Sequence, residues 1–149
     1  MAQRGVAECL GCGRRKPLSE FSSLNASGAP RPYCKPCNAE RVRLQHYKVT
    51  KEFVDMLLRF QRSRCAVCRS VHTGGKALHL DHDHSCCLQG SCGDCVRGLV
   101  CANCNLLGLA WYEALPRELR TYGLLNDYLA DPPAKRLRAE VAVAGDNAG

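Results

Sequence analysis

Two short segments in the second half of the chain decide the fold. Residues 79–84 read His-Leu-Asp-His-Asp-His, and residues 96–105 read Val-Arg-Gly-Leu-Val-Cys-Ala-Asn-Cys-Asn. Two β-like runs, Ala77–His82 and Val96–Val100, are separated by turn and loop residues. The second run continues through a Cys-x-x-Cys pair into the start of a helix. We therefore expect a β-hairpin followed by a helix, with a metal ion bound where strand and helix meet.

Twelve of the 149 residues are cysteines, and ten of these form five Cys-x-x-Cys pairs. Such a pair turns the backbone so that both thiolates face one tetrahedral ion, and two pairs complete a structural zinc site. A disulfide framework is disfavoured because the N-terminus has no apolar export signal. Iron remains open, since spacing alone does not distinguish tetrahedral sulfur sites. Pairing in chain order gives two sites: Cys9, Cys12, Cys34 and Cys37, then Cys65, Cys68, Cys101 and Cys104.

The loop between the two β-like runs carries four further cysteines. They predict a third zinc site, with His84 as an alternative ligand, and the competing interpretation is a set of free loop thiols. The candidate ligands are Cys86, Cys87, Cys92 and Cys95.

Helical patterns flank these segments. Thr50 is a suitable N-cap for a helix whose apolar stripe has the spacing of a buried face. A second helix is predicted to begin at Pro116. The stripe consists of Phe53, Met56, Leu57 and Phe60, and the second helix is predicted to bury Leu119, Tyr122, Leu125 and Leu129.

The charge of the chain, +7 overall, is concentrated in its first half. Residues 1–64 hold 13 of the 21 basic side chains and 5 of the 14 acidic ones. A basic half ahead of a neutral site suits contacts with a phosphate backbone, although a solvated helical surface has the same composition. The candidate DNA contacts are Arg14, Arg15, Lys16, Arg41 and Arg43.

Three histidines and two aspartates lie within residues 79–84. Histidine has the side-chain pKa nearest neutrality, and beside carboxylates it indicates a hydrolytic base next to a hard cation. In an extended segment Asp81 and His82 point to opposite faces, so they can serve different partners. The alternatives are a further zinc cluster or a solvated histidine-rich turn.

The quoted segments resemble the recombination endonuclease VII family of phages. The match extends over about residues 50–131, and its most specific parts are Asp-His-Asp-His at 81–84 and Arg-Gly-Leu-Val-Cys-x-x-Cys-Asn at 97–105. This resemblance implies an α+β protein of small zinc-stabilised modules, with a ββα-metal (HNH, or His-Me finger) nuclease core and flanking helices. The N-terminal cysteine module is similar to a zinc ribbon attached to some phage members.

The resemblance also assigns roles to individual residues. Asp81 and Asn105 become ligands of a catalytic Mg²⁺ or Mn²⁺, and His82 becomes the general base that activates water. A hard cation with few protein ligands and several waters fits a carboxylate and an amide oxygen. His79, His84 and Arg97 are candidate accessory residues, with Arg97 either contacting phosphate or serving as a structural strand residue.

The chain departs from the family pattern near the expected metal. Family members can carry a glutamate three residues after the asparagine, where this chain has Gly108. Glu113, two helical turns beyond Asn105, is the candidate substitute. The long C-terminal region with which a junction-resolving member forms its dimer is not evident, which places junction resolution in doubt.

These observations predict four regions: a zinc-ribbon-like module at 1–37, a basic helical connector at 38–64, an endonuclease VII-like core at 65–131 and a disordered tail at 132–149. The expected function is metal-dependent hydrolysis of phosphodiester bonds in duplex, nicked or branched DNA. A Holliday-junction resolvase proper and a non-catalytic zinc regulator that binds nucleic acid are the alternatives. We expect an intracellular protein, in the host cytoplasm if it is phage-encoded, with no membrane partner and with a dimer left open.

Overall fold

The computed structural model describes residues 5–22, 29–71, 78–87 and 89–146. The chain divides into two compact units, Met1–His46 and Tyr47–Gly149. Two small antiparallel sheets and several helices lie within the described residues, so the expected α+β class is confirmed. None of the described helices is long and apolar enough to span a membrane.

The first unit consists of a small hairpin and a helix joined by cysteines. Strands β1 (Val6–Glu8) and β2 (Arg15–Pro17) pair in an antiparallel manner, and a 3₁₀ turn follows at Leu18–Glu20. Helix α1 extends over Lys35–Tyr47. Its apolar core is small and contains Phe21, which is 3% exposed, packed with two buried cysteines. A unit with so little apolar burial needs a further source of stability, such as a bound metal.

The second unit begins with helix α2 (Lys51–Phe60), which the sequence predicted closely. The Thr50 hydroxyl accepts a hydrogen bond from the backbone N–H of Phe53 at 3.1 Å, as expected of an N-cap. Leu57 is fully buried. Val54, which the predicted stripe omitted, is also buried, because the packed face of the helix is wider than that stripe.

The predicted hairpin is present as strands β3 (His79–His82) and β4 (Val96–Val100). Ala77, the predicted first residue of β3, lies outside the described residues. The pairing is antiparallel, with a shift in register after Asp81: this residue faces Gly98, whereas His82 faces Val96. Arg97 is therefore the extra residue of a β-bulge, a feature that often redirects a side chain at a functional site.

A helical segment follows the hairpin, but it is not a single α-helix. Residues Asn103–Leu109 form a π-helical segment, in which the N–H of Ala110 bonds to the carbonyl of Asn105, and α3 continues over Ala110–Ala114. Long π-helical segments are rare and tend to occur at functional sites.

The predicted helix from Pro116 is interrupted. A 3₁₀ turn occupies Arg117–Leu119, and α4 begins only at Gly123 and ends at Ala130. Leu119 and Tyr122 precede α4 and are exposed, so the prediction that they point inward is wrong. The prediction assumed one continuous helix from Pro116. Because the chain is not helical just before α4, the apolar positions there do not continue the buried face of that helix.

The prediction of a disordered tail over 132–149 is wrong for most of that segment. Residues Pro133–Asp146 form helix α5, which packs against α2 and β4. Ala134 and Leu137 are buried, and Arg138 lies over the ring of Phe53. Alanine-rich sequence has high helix propensity, and three buried apolar residues, with Pro133 as the third, attach the helix to the unit. Residues 147–149 lie outside the described residues.

Candidate active site and metal centres

Cluster 1, defined as Cys9, Cys12, Cys34 and Cys37, brings four sulfur atoms within 4.8 Å of one another in the first unit. The backbone N–H of Cys34 donates to Cys9 Sγ at 3.2 Å. That contact lowers the pKa of the Cys9 thiol to about 6, which favours the thiolate that a metal binds. A Cβ on Gly11 would come within 2.8 Å of Cys37 Cβ, so the turn between the first two cysteines requires glycine there.

Cluster 2, defined as Cys65, Cys68, Cys101 and Cys104, has the same arrangement of sulfurs in the second unit. The backbone N–H of Cys101 donates to Cys65 Sγ at 3.3 Å, and that of Cys104 donates to Cys101 Sγ at 3.4 Å. Hydrogen bonds from N–H groups to sulfur are the usual support of a thiolate metal site. The cluster lies where β4 ends and the π-helical segment begins.

Cluster 3, defined as Cys86, Cys87, Cys92 and Cys95, lies in the loop at the closed end of the β3–β4 hairpin. Its four sulfurs also lie within 4.8 Å of one another, and Cys86 Sγ is 3.9 Å from Cys92 Sγ. The structure therefore brings together all three predicted cysteine sets. Four thiols at this spacing suit zinc.

The acidic and histidine residues of the hairpin form no such cluster. Among the described residues, the three cysteine sets are the groups of three or more His, Cys, Asp or Glu side chains that could hold a metal ion. The predicted hard-cation site therefore depends on one carboxylate, Asp81, together with the amide of Asn105.

The Asp81 carboxylate is held by three hydrogen bonds. Oδ2 accepts from Arg97 Nε at 2.8 Å and from the Tyr128 hydroxyl at 2.6 Å, and Oδ1 accepts from Arg97 Nη2 at 3.1 Å. The side chain is only 2% exposed. A carboxylate has about four acceptor positions, so Oδ1 keeps one position that no described residue fills.

Arg97 joins Asp81 to Glu113. Its Nη1 donates to Glu113 Oε1 at 2.7 Å, and its Nη2 donates to Oε2 at 2.9 Å. Burial opposes the charge of Arg97, but the two carboxylates outweigh it and raise the pKa of the guanidinium. These contacts are those of a structural ion pair, the second role considered for Arg97. Glu113 pairs with Arg97, and the group of three carries a net charge of −1.

Tyr128 comes from α4 and crosses β4 to reach Asp81. A Cβ on Gly98 would lie 3.2 Å from the Tyr128 hydroxyl, so glycine leaves the space for this approach. Burial, and then the charge of Asp81, raise the pKa of Tyr128, which therefore stays protonated and donates. Sequence reasoning did not identify Tyr128 as a site residue, because its role depends on the packing of a helix 47 residues away.

His82 lies directly after Asp81 and is buried. Its Nε2 is a buried atom with no hydrogen-bond partner among the described residues. Burial, and then the neighbouring His84, lower the pKa of His82. A neutral imidazole that donates from Nδ1 presents a lone pair at Nε2.

The other predicted site residues are placed as follows. The rings of His82 and His84 lie 4.2 Å apart, as expected for neighbours on one face. His79 is exposed at the start of β3. Asp83 accepts from the N–H and hydroxyl of Ser85 at 2.8 and 2.7 Å, so it fixes the turn. Asn105 is half-buried in the π-helical segment, and its N–H donates to the Cys101 carbonyl at 2.9 Å.

The five candidate DNA contacts differ in how they are held. Lys16 pairs with Glu20 at 2.7 Å, Arg43 pairs with Glu40 at 2.9 Å, and Arg41 lies over the ring of Tyr33. Arg14 and Arg15 are exposed on the first unit.

Comparison with known proteins identifies the family. The model of the recombination endonuclease VII family matches residues 40–130, which is more than half of the chain, and the chain belongs to this family. The match confirms the resemblance read from the hairpin and its cysteines.

Two curated relatives share part of the sequence. The Gene 59 protein of Mycobacterium phage D29 is 34% identical over 101 residues, which cover 65% of this chain and 53% of that protein. The Gene 59 protein of Mycobacterium phage L5 is 30% identical over 97 residues, with the same shares of the two chains. The chain thus spans about half the length of the curated relatives it matches. No solved structure matches it.

Proposed function

We propose that this protein is a metal-dependent DNA endonuclease that hydrolyses phosphodiester bonds, with β3, β4 and the π-helical segment as its ββα-metal core. One observation carries the proposal: His82, the residue after Asp81, has a buried Nε2 with no partner among the described residues. An unsatisfied buried nitrogen is costly unless a ligand uses it. A water or substrate oxygen at this position would satisfy it.

His82 is the proposed general base. Its buried Nε2 is available to accept a proton from the attacking water. Burial lowers the pKa of the ring, which favours the neutral form that can accept that proton.

Asp81 and Asn105 are the proposed ligands of a Mg²⁺ or Mn²⁺ ion. The open position on Asp81 Oδ1 and an amide oxygen are a donor set that suits Mg²⁺, which keeps most of its ligands as water. Bound there, the cation would polarise the scissile phosphate and stabilise charge on the leaving oxygen. Arg97 and Tyr128 hold the carboxylate in one orientation, so it does not need to reorganise when substrate binds.

The substrate is proposed to be duplex, nicked or branched DNA, contacted by basic residues of the first unit. Junction resolution would need symmetric cuts in two strands, and hence a dimer. Cleavage of a four-way junction compared with a linear duplex would separate this narrower activity from general nicking.

Plasmid relaxation tests the proposed function. The purified protein is expected to nick supercoiled DNA in Mg²⁺ or Mn²⁺ and to stop when EDTA is added. His82→Ala should lower the rate by at least about 10²-fold, because general-base catalysis contributes that much. His46→Ala, at an exposed position on α1, is the matched control and should retain activity. Activity that survives His82→Ala would remove this residue as the base, and a wild type inactive in every cation would favour the non-catalytic regulator.

A further inference from the structure

Cluster 3 is attached directly to the end of β3. The backbone N–H groups of Cys86 and Cys87 donate to the Asp83 carbonyl at 3.2 and 3.3 Å, and the N–H of Asp83 donates to the Cys95 carbonyl at 3.0 Å. Asp83 lies between His82 and His84. Cys86 and Cys87 therefore lie about one turn after the proposed base, His82. The carbonyl of Cys95 is hydrogen-bonded to Asp83, the residue that follows this base.

The other cysteine pair of cluster 3 lies in a tightly packed turn. Ser91 is buried, and its hydroxyl accepts from the N–H of Gly93 at 2.9 Å and lies 3.1 Å from Cys95 Sγ. Gly93 has a φ of +94°, and a Cβ there would lie 2.6 Å from the Lys48 carbonyl oxygen. Only glycine fits this turn without displacing backbone.

Helix α5, which comes later in the chain, also contacts this turn. Arg138 donates to the carbonyls of Gly93, Asp94 and Val96 at 2.8, 3.1 and 3.1 Å. One side chain thus binds three carbonyls in and just after the Cys92–Cys95 turn. These contacts fix the turn that carries two of the four cysteines.

The geometry points to a zinc site at cluster 3 that positions the proposed base. We infer that Zn²⁺ bound by Cys86, Cys87, Cys92 and Cys95 fixes the backbone of Asp83, the residue that follows His82, and so sets the position of the His82 ring. Zinc replaces the thiol protons, which pass to solvent. The metal is a positioning centre that does not touch substrate, and its catalytic role rests on the proposed function of His82.

The first test removes two exposed ligands with Cys86→Ser and Cys92→Ser together. Elemental analysis should show the zinc content falling from three ions per chain to two. The matched control is Gln89→Ala, at an exposed position of the same loop, which should keep three. A wild type with two zinc ions per chain would overturn the site, and so would a double variant that still binds three.

Histidine signals test the positioning role independently of activity. In ¹H–¹⁵N spectra of the imidazoles, the double variant should shift or broaden the signals of His82 and His84, while those of His46 stay in place. Unchanged His82 signals after loss of the zinc would overturn the positioning role even if the protein proves not to be a nuclease.

Kinetics complete the test if the nuclease activity is established. Removing a group that acts through another residue typically lowers activity about 10- to 100-fold, and we expect a loss of this size in kcat with KM little changed.

Because loss of ligands can unfold a loop, Arg138→Gln is the second variant: it keeps all four cysteines and should release one zinc ion per chain to a chelator faster than wild type. Equal release rates would contradict the role of α5 in this site.

Discussion

Tyr128 donates the shortest of the hydrogen bonds to Asp81, at 2.6 Å, and it does so from a buried position. A neutral donor of this kind orients a carboxylate without neutralising it. The contribution of Arg97 differs, because it supplies the opposite charge. Removing the Tyr128 hydroxyl therefore tests orientation separately from charge.

Tyr128→Phe should cost about 1.5–3 kcal/mol of the free energy of unfolding, as expected for a hydrogen bond to a charged group. It should also lower the nicking rate about 10-fold, because the carboxylate is less well fixed. Urea unfolding and plasmid nicking measure the two effects.

Tyr112→Phe is the matched control. Tyr112 is equally buried, and its hydroxyl donates to Asn126 at 2.8 Å, away from Asp81. It should lose stability but keep the nicking rate per folded molecule. Equal loss of rate in both variants would mean that Tyr128 acts only through stability.

Every residue of β4 is buried, and Gln61 at the end of α2 takes the place of a neighbouring strand. Its side-chain amide donates to the Leu99 carbonyl at 2.8 Å and accepts from the Leu99 N–H at 2.9 Å. Gly98, which precedes Leu99, lies against the side chains of Tyr128 and Gln61. The backbone of β4 is thus enclosed by side chains that cannot easily move.

Gly98→Ala should therefore destabilise the second unit. The added Cβ would lie 3.2 Å from the Tyr128 hydroxyl and 3.3 Å from Gln61 Oε1, and both atoms are fixed by hydrogen bonds. Overpacking of this kind costs about 1–3 kcal/mol, which chemical denaturation would measure.

Gly123→Ala supplies the comparison, because no atom of another described segment lies within 4 Å of the new Cβ at the start of α4. It should be neutral or slightly stabilising. If Gly98→Ala behaved the same way, the close approach of Tyr128 would not be a constraint on β4.

The elements that sequence could predict are those encoded locally. Cys-x-x-Cys spacing, the Thr50 cap and the strand pattern each depend on a few neighbouring residues, and the structure contains all of them. The pairing of Arg97 with Glu113 was not predictable, because these residues meet only through the bulge in β4 and the packing of α3. Helix α5 was missed for a similar reason: three buried apolar residues and Arg138, which contacts another segment, hold it in place.

The charge of the whole molecule depends on its metal content. A zinc ion bound by four thiolates carries −2, so three such centres would lower the formal charge from +7 to +1. A nearly neutral protein can still bind DNA through a local concentration of basic residues. We therefore expect the salt dependence of DNA binding to come from a small number of basic side chains.

Arg14→Ala and Arg15→Ala should each reduce the slope of log K against log salt for DNA binding by about 1, because each removes one phosphate contact. Titration of a labelled duplex at several salt concentrations measures this slope. Arg117→Ala, at an exposed position in the second unit, is the control and should leave it unchanged. Unchanged slopes in the first two variants would move the DNA-binding surface elsewhere.

Clusters 2 and 3 lie at opposite ends of the β3–β4 hairpin. This placement implies an order in which the hairpin folds during synthesis. Cluster 3 closes a loop within residues 86–95, whereas cluster 2 closes residues 65–104. Since each doubling of loop length costs about 0.6 kcal/mol in chain entropy, the shorter closure is favoured by about 1 kcal/mol. Its ligands also leave the ribosome before Cys101 and Cys104. With zinc available, the tip of the hairpin would form first, and strand pairing would then proceed toward cluster 2.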